Sequence, residues 1–521
     1  MHWADKVAAD IINSGKYMPF WVDDMKTPSG YPHIGSLRGP LIHDLIFKAL
    51  KSAGKDTKYT FIINDLDPMD DVSLEFKDDL SKYLGLPLKQ VPSPDNESSN
   101  FADFIAKDFM RVLTDLGVAA EFISSWDLYK EGKFDTVIRQ ALDNAEKIQD
   151  IYQRVSGSQK RDQGWLPFQT ICQKCGKLGT TRVFEWNGTV VSYRCEENMV
   201  KWAIGCGFEG KVSPFGGTGK LPWKVDWPAH WVVLGITIEG AGKDHSSAGG
   251  SRDIAREICK EVFQYPEPYN LPYEFLLFGG RKMSSSKGVG LKARDVSSIL
   301  PFEIARFLFT RTDYKTAVDF NHEGTMAIPD LYDEYDRCFK SFIKGDGDEF
   351  ARSFELAHIG ELPCSEQFLP RFRDLANYLQ IPNIDLVEKF AEIKGQSLNQ
   401  PEVDILKERE KYARIWLEKY APDDFKVSMV TEIPSVAKNL DSDQKRFLQQ
   451  ALEYIKSDLN AEDLQAKLYE LTKTLEIPAK KAFAAIYLSF IGKEYGPKAG
   501  SFLRQYSIDE VTKRLSEVIN D

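Results

Sequence analysis

The sequence predicts an α/β protein built on a parallel sheet, interrupted by a metal-stapled insertion and followed by an all-helical C-terminal region. Three observations predict it. Short apolar strands alternate with amphipathic helices from Met18 to about Ile151, and the alternation resumes near Trp231. Four cysteines, Cys172, Cys175, Cys195 and Cys206, gather in the interval between. Beyond Pro329 the strand signals fade and apolar residues recur at helical spacing.

At 521 residues the chain is too long for one ordinary core, and roughly three domains are expected. With 42% hydrophobic and 28% charged residues it has the composition of a soluble globular protein. The net charge of −11 announces no nucleic-acid partner, so an RNA would have to be met by local basic patches. No apolar stretch approaches the length of a membrane span, so no membrane partner is expected. The opening Met1-His2-Trp3-Ala4-Asp5-Lys6 has no signal-peptide hydrophobic region. Seven cysteines, four of them clustered, suit a reducing compartment and a metal site, and a cytoplasmic location is expected.

In chain order, Phe20-Trp21-Val22 reads as a first strand and Leu37, Leu41, Leu45 and Leu50 as one face of a helix. Between them lies Thr27-Pro28-Ser29-Gly30-Tyr31-Pro32-His33-Ile34-Gly35-Ser36. An imidazole at that strand-to-helix turn can donate to a phosphate oxygen, and Gly35 lets a nucleotide approach the backbone. Thr57–Ile63 is a second strand, ending at Asp65 and Asp67, which serve either as caps or as carboxylates facing a cation. A helix over Phe101–Leu116, a strand over Ala120–Ser124 and a helix over Phe134–Val155 follow. Such alternation puts ligands at the carboxyl ends of the strands.

Cys172 and Cys175 have the two-residue spacing of a zinc site, and with Cys195 and Cys206 they can close a tetrahedron. The segment around them is too small for a core of its own, which favours a structural zinc. Cys259, Cys338 and Cys364 read as ordinary cysteines in helical surroundings. Phe215–Lys220 fails as a phosphate loop, because Pro214 stands where the first glycine is required and Leu221 where Ser or Thr is. Trp231–Glu239 reads as a strand, Gly240–His245 as a turn and Ser251–Phe263 as a helix, which makes the cysteine module an insertion within one fold. Tyr273–Phe278 reads as a short buried strand. It leads into Arg281-Lys282-Met283-Ser284-Ser285-Ser286-Lys287-Gly288, a run of ammonium and hydroxyl groups suited to a polyphosphate. Helices follow from Ala293 and over Pro301–Phe309. Past Pro329, Phe447, Leu448, Ala451, Leu452 and Ile455 form one packing face, and Leu464, Leu468 and Leu471 another.

His33-Ile34-Gly35-Ser36 and Lys282-Met283-Ser284-Ser285-Ser286 resemble the HIGH and KMSKS signatures of class I aminoacyl-tRNA synthetases. Ser36 replaces the final His and Ser285 the internal Lys, with Lys287 standing one residue beyond. Gly242-Lys243-Asp244-His245 is similar to the element that holds the adenosine ribose in that class. The stretches TPSGYPHIG, WPAHWVVLGITIEGAGKDHSSAGGSRD and YEFLLFGGRKMSSSKG resemble class I lysyl-tRNA synthetases, most specifically from about Phe20 to Asp319.

The resemblance implies a Rossmann-like catalytic domain in two halves, 1–165 and 216–290, around a zinc-binding insertion at 166–215. It further implies a stem-contact region at 291–329 and a helical anticodon-binding domain at 330–521, where Lys480 and Lys481 are basic candidates for RNA contact. The implied activity is lysine–tRNA ligation, with ATP, L-lysine and tRNA(Lys) as substrates and Mg2+ carried by the nucleotide. Lys282, Lys287, Met283 and Ser284–Ser286 would then hold the β- and γ-phosphates, opposite His33, Gly35 and Ser36. Gly242 and Asp244 would receive the ribose; Gly30, Glu239, His245 and Tyr273, with Trp227 as a further wall, would line the lysine site. Rival readings are a synthetase for glutamate or cysteine, a free-standing adenylate-forming nucleotidylyltransferase, and a non-catalytic RNA-binding relic.

Overall fold

The computed structural model of the chain describes residues 1–95, 97–157, 164–282, 291–380, 384–426 and 432–520. Its first sheet holds three parallel strands, β1 (Phe20–Lys26), β2 (Thr57–Ile63) and β3 (Glu121–Ser124), with β2 in the middle. The β1–β2 register runs from Phe20↔Thr57 to Lys26↔Ile63. On the other side of β1 the extended segment around Ile238 runs parallel to it. Asp23 N–H donates to Ile238 O and Ile238 N–H to Trp21 O, each at 3.0 Å. Tyr269 N–H continues the ladder to Thr237 O at 2.8 Å, and Ala241–Gly242 pairs in parallel with Pro272–Tyr273. Taking these two segments as fourth and fifth strands, the order is 3-2-1-4-5, a doubly wound arrangement that collects ligands at the carboxyl ends.

Both faces of such a sheet are covered, so its central strands are buried over consecutive residues rather than alternately, Val22–Asp24 and Tyr59–Ile63 among them. The helix Arg38–Ser52 covers one face through Leu41, Ile42, Leu45 and Ile46, all fully buried. Beneath it, Asp44 and Arg306 are both fully buried and form an ion pair at 2.6 Å. Arg306 also donates to Leu116 O and Leu356 O, so a single guanidinium ties three elements together.

Four sequence expectations are corrected. Trp231–Glu239 is not one strand: Trp223–Leu234 is a helix that Gly235 ends with φ 78°, and only the residues after it are extended. Trp223, Trp227 and Trp231 stand four residues apart, a helical spacing that outweighs the β-branched Val232 and Val233. The expected helix over Phe134–Val155 is two, Asp135–Asp143 and Ala145–Ser156; Asn144 breaks it, its side-chain amide capping Gln140 O at 2.8 Å. Tyr273–Phe278 divides into Pro272–Tyr273 and Leu276–Phe278, because Glu274 turns its backbone to Tyr314 and Arg38 instead. Cys259 and Cys338 are buried in helices as expected, whereas Cys364 is exposed and outside any helix.

The cysteine module is a three-stranded antiparallel sheet, Thr181–Trp186, Val191–Cys195 and Glu209–Val212, reached through a neck. The neck is an antiparallel pair, Gln169–Thr170 with Gly219–Lys220. The chain divides into two compact units, Met1–Asn321 with Arg337–Cys364, and His322–Asp336 with Ser365–Asp521. The second unit is helical, and its core joins Phe447, Leu448, Ala451 and Ile455 to Leu464, Leu468 and Leu471. Leu452, expected on the same face, is partly buried against that core. Among the described residues no helix is long and apolar enough to cross a membrane.

Candidate active site

The carboxyl end of β1 leads into the loop that carries His33. That residue is extended (φ −76°, ψ 161°) and precedes one 3-10 turn, Ile34–Leu37, before the α-helix begins. Its environment is built by backbone bonds to a distant segment. Ile34 N–H donates to Leu291 O and Ala293 N–H to Pro32 O, each at 2.8 Å, and His33 bridges Lys292. Leu291 lies three residues beyond the basic serine run in sequence. Arg281–Lys282, at the other end of that run, pairs antiparallel with Leu277–Phe278. The start of the run is thereby paired to a strand, and the segment that follows it in sequence, Leu291–Ala293, is stitched to the His33 turn. Met283, Ser284, Ser285, Ser286 and Lys287 lie outside the described residues, and of Lys282 only the backbone is described.

Arg38 fixes the upstream anchor. Buried to 1%, it donates to Glu274 O, Phe309 O, Asp313 O (3.1 Å) and Thr316 O (3.0 Å). Burial brings it down to about 10, so it stays charged at neutral pH. Next to it, Gly39 is required by close approach: a Cβ there would stand 2.7 Å from both Asp24 Oδ2 and Tyr273 Oη.

Gly242, Asp244 and His245 lie together. Gly242 begins the single turn Lys243–Ser246, and both Asp244 and His245 are exposed on it. His245 stands edge-on to Trp223 at 6.0 Å and to Trp227 at 5.9 Å, while the two indoles stack at 5.2 Å. Glu239, 1% exposed, accepts from Trp227 Nε1 at 2.9 Å and from Trp231 Nε1, and the Arg252 guanidinium lies 4.5 Å over the Trp231 ring. Burial pushes the Glu239 carboxyl up to about 7, against the pull of Arg252 and the two indole N–H groups. Tyr273, half-buried, meets the His43 ring edge-on at 6.4 Å, and His43 Nε2 accepts from Gly240 N–H at 2.7 Å. Gly30 stands apart from these, its nearest neighbour being Ser73, 3.8 Å from an added Cβ.

Sequence reasoning missed Asp23 and Asp24, two acids in an otherwise apolar strand, although that pairing was itself a signal. Asp23 is fully buried and accepts from Thr60 Oγ1; burial, then the Glu239 charge, raise it well above the usual carboxylate range. Asp24 lies 3.5 Å from His43 Nδ1. Of the two open alternatives for Asp65 and Asp67, Asp65 is both a structural acceptor, for Trp126 N–H and Ser124 Oγ at 2.7 Å, and a partner of the Lys89 ammonium at 3.3 Å. Asp67 does face a cation, but one of the protein's own: Lys220.

Cys172, Cys175, Cys195 and Cys206 converge with their Sγ atoms all within 4.8 Å of one another, and the Cys172–Cys206 and Cys175–Cys195 separations are both 3.7 Å. A tetrahedral Zn–S4 site with Zn–S near 2.3 Å has S···S edges of about 3.8 Å, so the donor set fits the metal in type, number and spacing. No disulfide joins the cysteines among the described residues.

The family described as tRNA synthetases class I (K) matches residues 1–361. A lysine–tRNA ligase of Archaeoglobus fulgidus is 34% identical over 524 residues, covering 100% of both chains. One of Methanocaldococcus jannaschii is 33% identical over 99% of each, and one of Thermoplasma acidophilum 32% identical over 100% of this chain and 99% of its own. With its mixed α/β sheet and large helical part, the chain belongs to the class I lysyl-tRNA synthetase family.

Proposed function

We infer that the chain is a lysine–tRNA ligase. A lysine carboxylate oxygen attacks the α-phosphorus of ATP, the bond to pyrophosphate breaks, and lysyl-adenylate forms. A ribose hydroxyl at the end of tRNA(Lys) then attacks the acyl carbon and AMP departs. The observation that supports this reading is the backbone stitching of the His33 turn to Leu291–Ala293, which follows the basic serine run in sequence, with Arg281–Lys282 at the run's start paired to Leu277–Phe278. A free-standing nucleotidylyltransferase is disfavoured by the helical second unit.

In this reading the protein acts by positioning and by neutralising charge on the phosphates. Lys282, Lys287, Met283 and Ser284–Ser286 hold the β- and γ-phosphates, and His33, Gly35 and Ser36 face them. Asp244 accepts from the ribose hydroxyls, with Gly242 giving the nucleoside room: an added Cβ would meet nothing nearer than Tyr273 at 3.7 Å. The indole pair Trp223 and Trp227, His245, Glu239 and Tyr273 form the wall for the lysine side chain, and Gly30, which stands apart from them, would contribute from the His33 loop. Mg2+ comes with the nucleotide, held mainly by phosphate oxygens. Cys172, Cys175, Cys195 and Cys206 would hold a zinc that supplies a structural cross-link and no chemistry. The all-helical second unit reads the anticodon. The domain limits 1–165, 166–215, 216–290, 291–329 and 330–521 and a cytoplasmic location belong to the same proposal.

The test is exchange of labelled pyrophosphate into ATP across the twenty amino acids, with and without tRNA. Lysine alone should support it; exchange driven by glutamate or cysteine instead would overturn the assignment.

A further inference from the structure

Lys220 is the most deeply buried lysine-centred charge cluster in the first unit, and nothing in the reaction above uses it. Its side chain is 2% exposed and lies between two carboxylates, Asp67 and Asp226, the second 3.0 Å away and 1% exposed. Asp67 also accepts from Thr27 Oγ1 at 2.6 Å. Asp226 also accepts from Tyr129 Oη at 2.5 Å, and that oxygen in turn accepts from Leu221 N–H. Because the ammonium is covered and both carboxylates engage it, Lys220 cannot itself reach a substrate.

Each partner belongs to a different functional element. Thr27 opens the loop that ends in His33. Asp226 sits beside Trp227 in the helix whose indoles bind Glu239. Lys220 itself lies on the return strand of the neck, opposite Gln169, three residues before the first clustered cysteine. One ammonium thus joins the phosphate-facing loop, the wall of the amino-acid site and the base of the cysteine module.

A buried trio of one cation and two anions is a poor choice for stability alone, since desolvation offsets most of the attraction and an apolar replacement is often neutral. It is a better choice for geometry, because Asp67 is held by both Lys220 Nζ and Thr27 Oγ1, and Asp226 is held between the Lys220 charge and Tyr129 Oη. We propose that Lys220 is a positioning residue that sets the loop carrying His33 and the helix carrying Trp227 and Trp231 in register, with the cysteine module as its mount. The proposal rests on the lysine-activation reading.

The experiment measures kcat and KM for lysine-dependent pyrophosphate exchange, with tRNA(Lys) present, for the full-length wild type, Lys220→Met, Lys220→Arg, Thr27→Val and the Thr27→Val/Lys220→Met double variant. Melting temperature and zinc content are recorded alongside. The expected result is a kcat lower by ~10- to 100-fold in Lys220→Met, the scale on which small misplacements of reacting groups act. KM for ATP and lysine should change by less than about threefold and zinc content should hold. Lys220→Arg should recover part of the loss. Thr27→Val should lose less, and the double variant no more than Lys220→Met, because both substitutions cut one linkage. Lys220→Met with kcat within about twofold of wild type overturns the proposal, as do equal losses in Met and Arg variants or multiplying losses in the double variant. If Lys220→Met does not fold, Thr27→Val decides, since it cuts the same linkage at a surface loop: wild-type kcat there is fatal to the idea. A wild-type chain inactive with lysine would remove the ligase reading itself and this proposal with it, whereas an active wild type with unimpaired variants removes only the latter.

Discussion

Glu239 is a single carboxylate whose surroundings set its charge. Two indole N–H groups hold its oxygens, and burial keeps it near pH 7 rather than at its ordinary 4.5. Asp23, Asp24, Arg252, His43 and Tyr273 are among the ionisable groups around it. The folded-state value is raised, so between about 4.5 and 7 the folded chain holds the extra proton and its stability falls as pH rises through that window. Lysine binding should run the other way, with KM for lysine falling as pH rises from 6 to 8 and Glu239 becomes an anion. Glu239→Gln should flatten that dependence and raise KM; steady-state exchange at several pH values would show it. A second residue-scale expectation concerns Lys282: replacement by Ala should slow exchange by ~10²-fold, as loss of a charge clamp on a transition state does. At this scale the sequence offers candidates wherever a motif exists, at His33, Gly242 and Asp244. It was silent on Asp23, Asp24 and Arg38, whose roles depend on a neighbouring strand or on carbonyls more than 230 residues away.

The helix Trp223–Leu234 shows where reading elements from sequence goes astray. Trp231-Val232-Val233-Leu234 has the composition of a strand, and only the four-residue recurrence of tryptophan upstream reveals the helix. Gly235 marks its end: φ is 78°, and an added Cβ would meet only the Trp21 ring, at an ordinary 3.9 Å. Gly235→Ala should therefore cost about 1–2 kcal/mol through backbone strain alone, readable as a shift in the urea midpoint with unchanged slope. The cysteine module behaves differently. The grouping of its four cysteines was legible from composition and one two-residue spacing, because the thiol chemistry is local even where the fold is not. Metal analysis should find about one zinc per chain, and Cys195→Ser should lose it, with a lower melting temperature because the small sheet has little other core to hold it.

The first compact unit spans Met1–Asn321 and takes back Arg337–Cys364, a return that no change of composition announces. The strand–helix alternation and the helical C-terminus were visible in the sequence; the interleaving was not, because the helix Ala327–Lys344 carries the chain from one unit to the other without a break. A chain ending at Cys364 should keep lysine-dependent exchange while tRNA charging falls by ~10²-fold or more, measured as incorporation of labelled lysine into tRNA(Lys). Within that unit, Arg306→Met should destabilise by about 3 kcal/mol, since Asp44 would be left buried with only Lys48, at 3.1 Å, as counter-charge. The sheet itself imposes a timetable. The bonds that cover the second edge of β1 come from partners 216 residues further along, Trp21 waiting on Thr237. At the ~5–20 residues per second of ribosomal synthesis, that edge stands open for roughly 10–40 s in every nascent copy. An open strand edge recruits other chains, so the interval in which this enzyme most needs a chaperone closes only when its fourth strand leaves the exit tunnel.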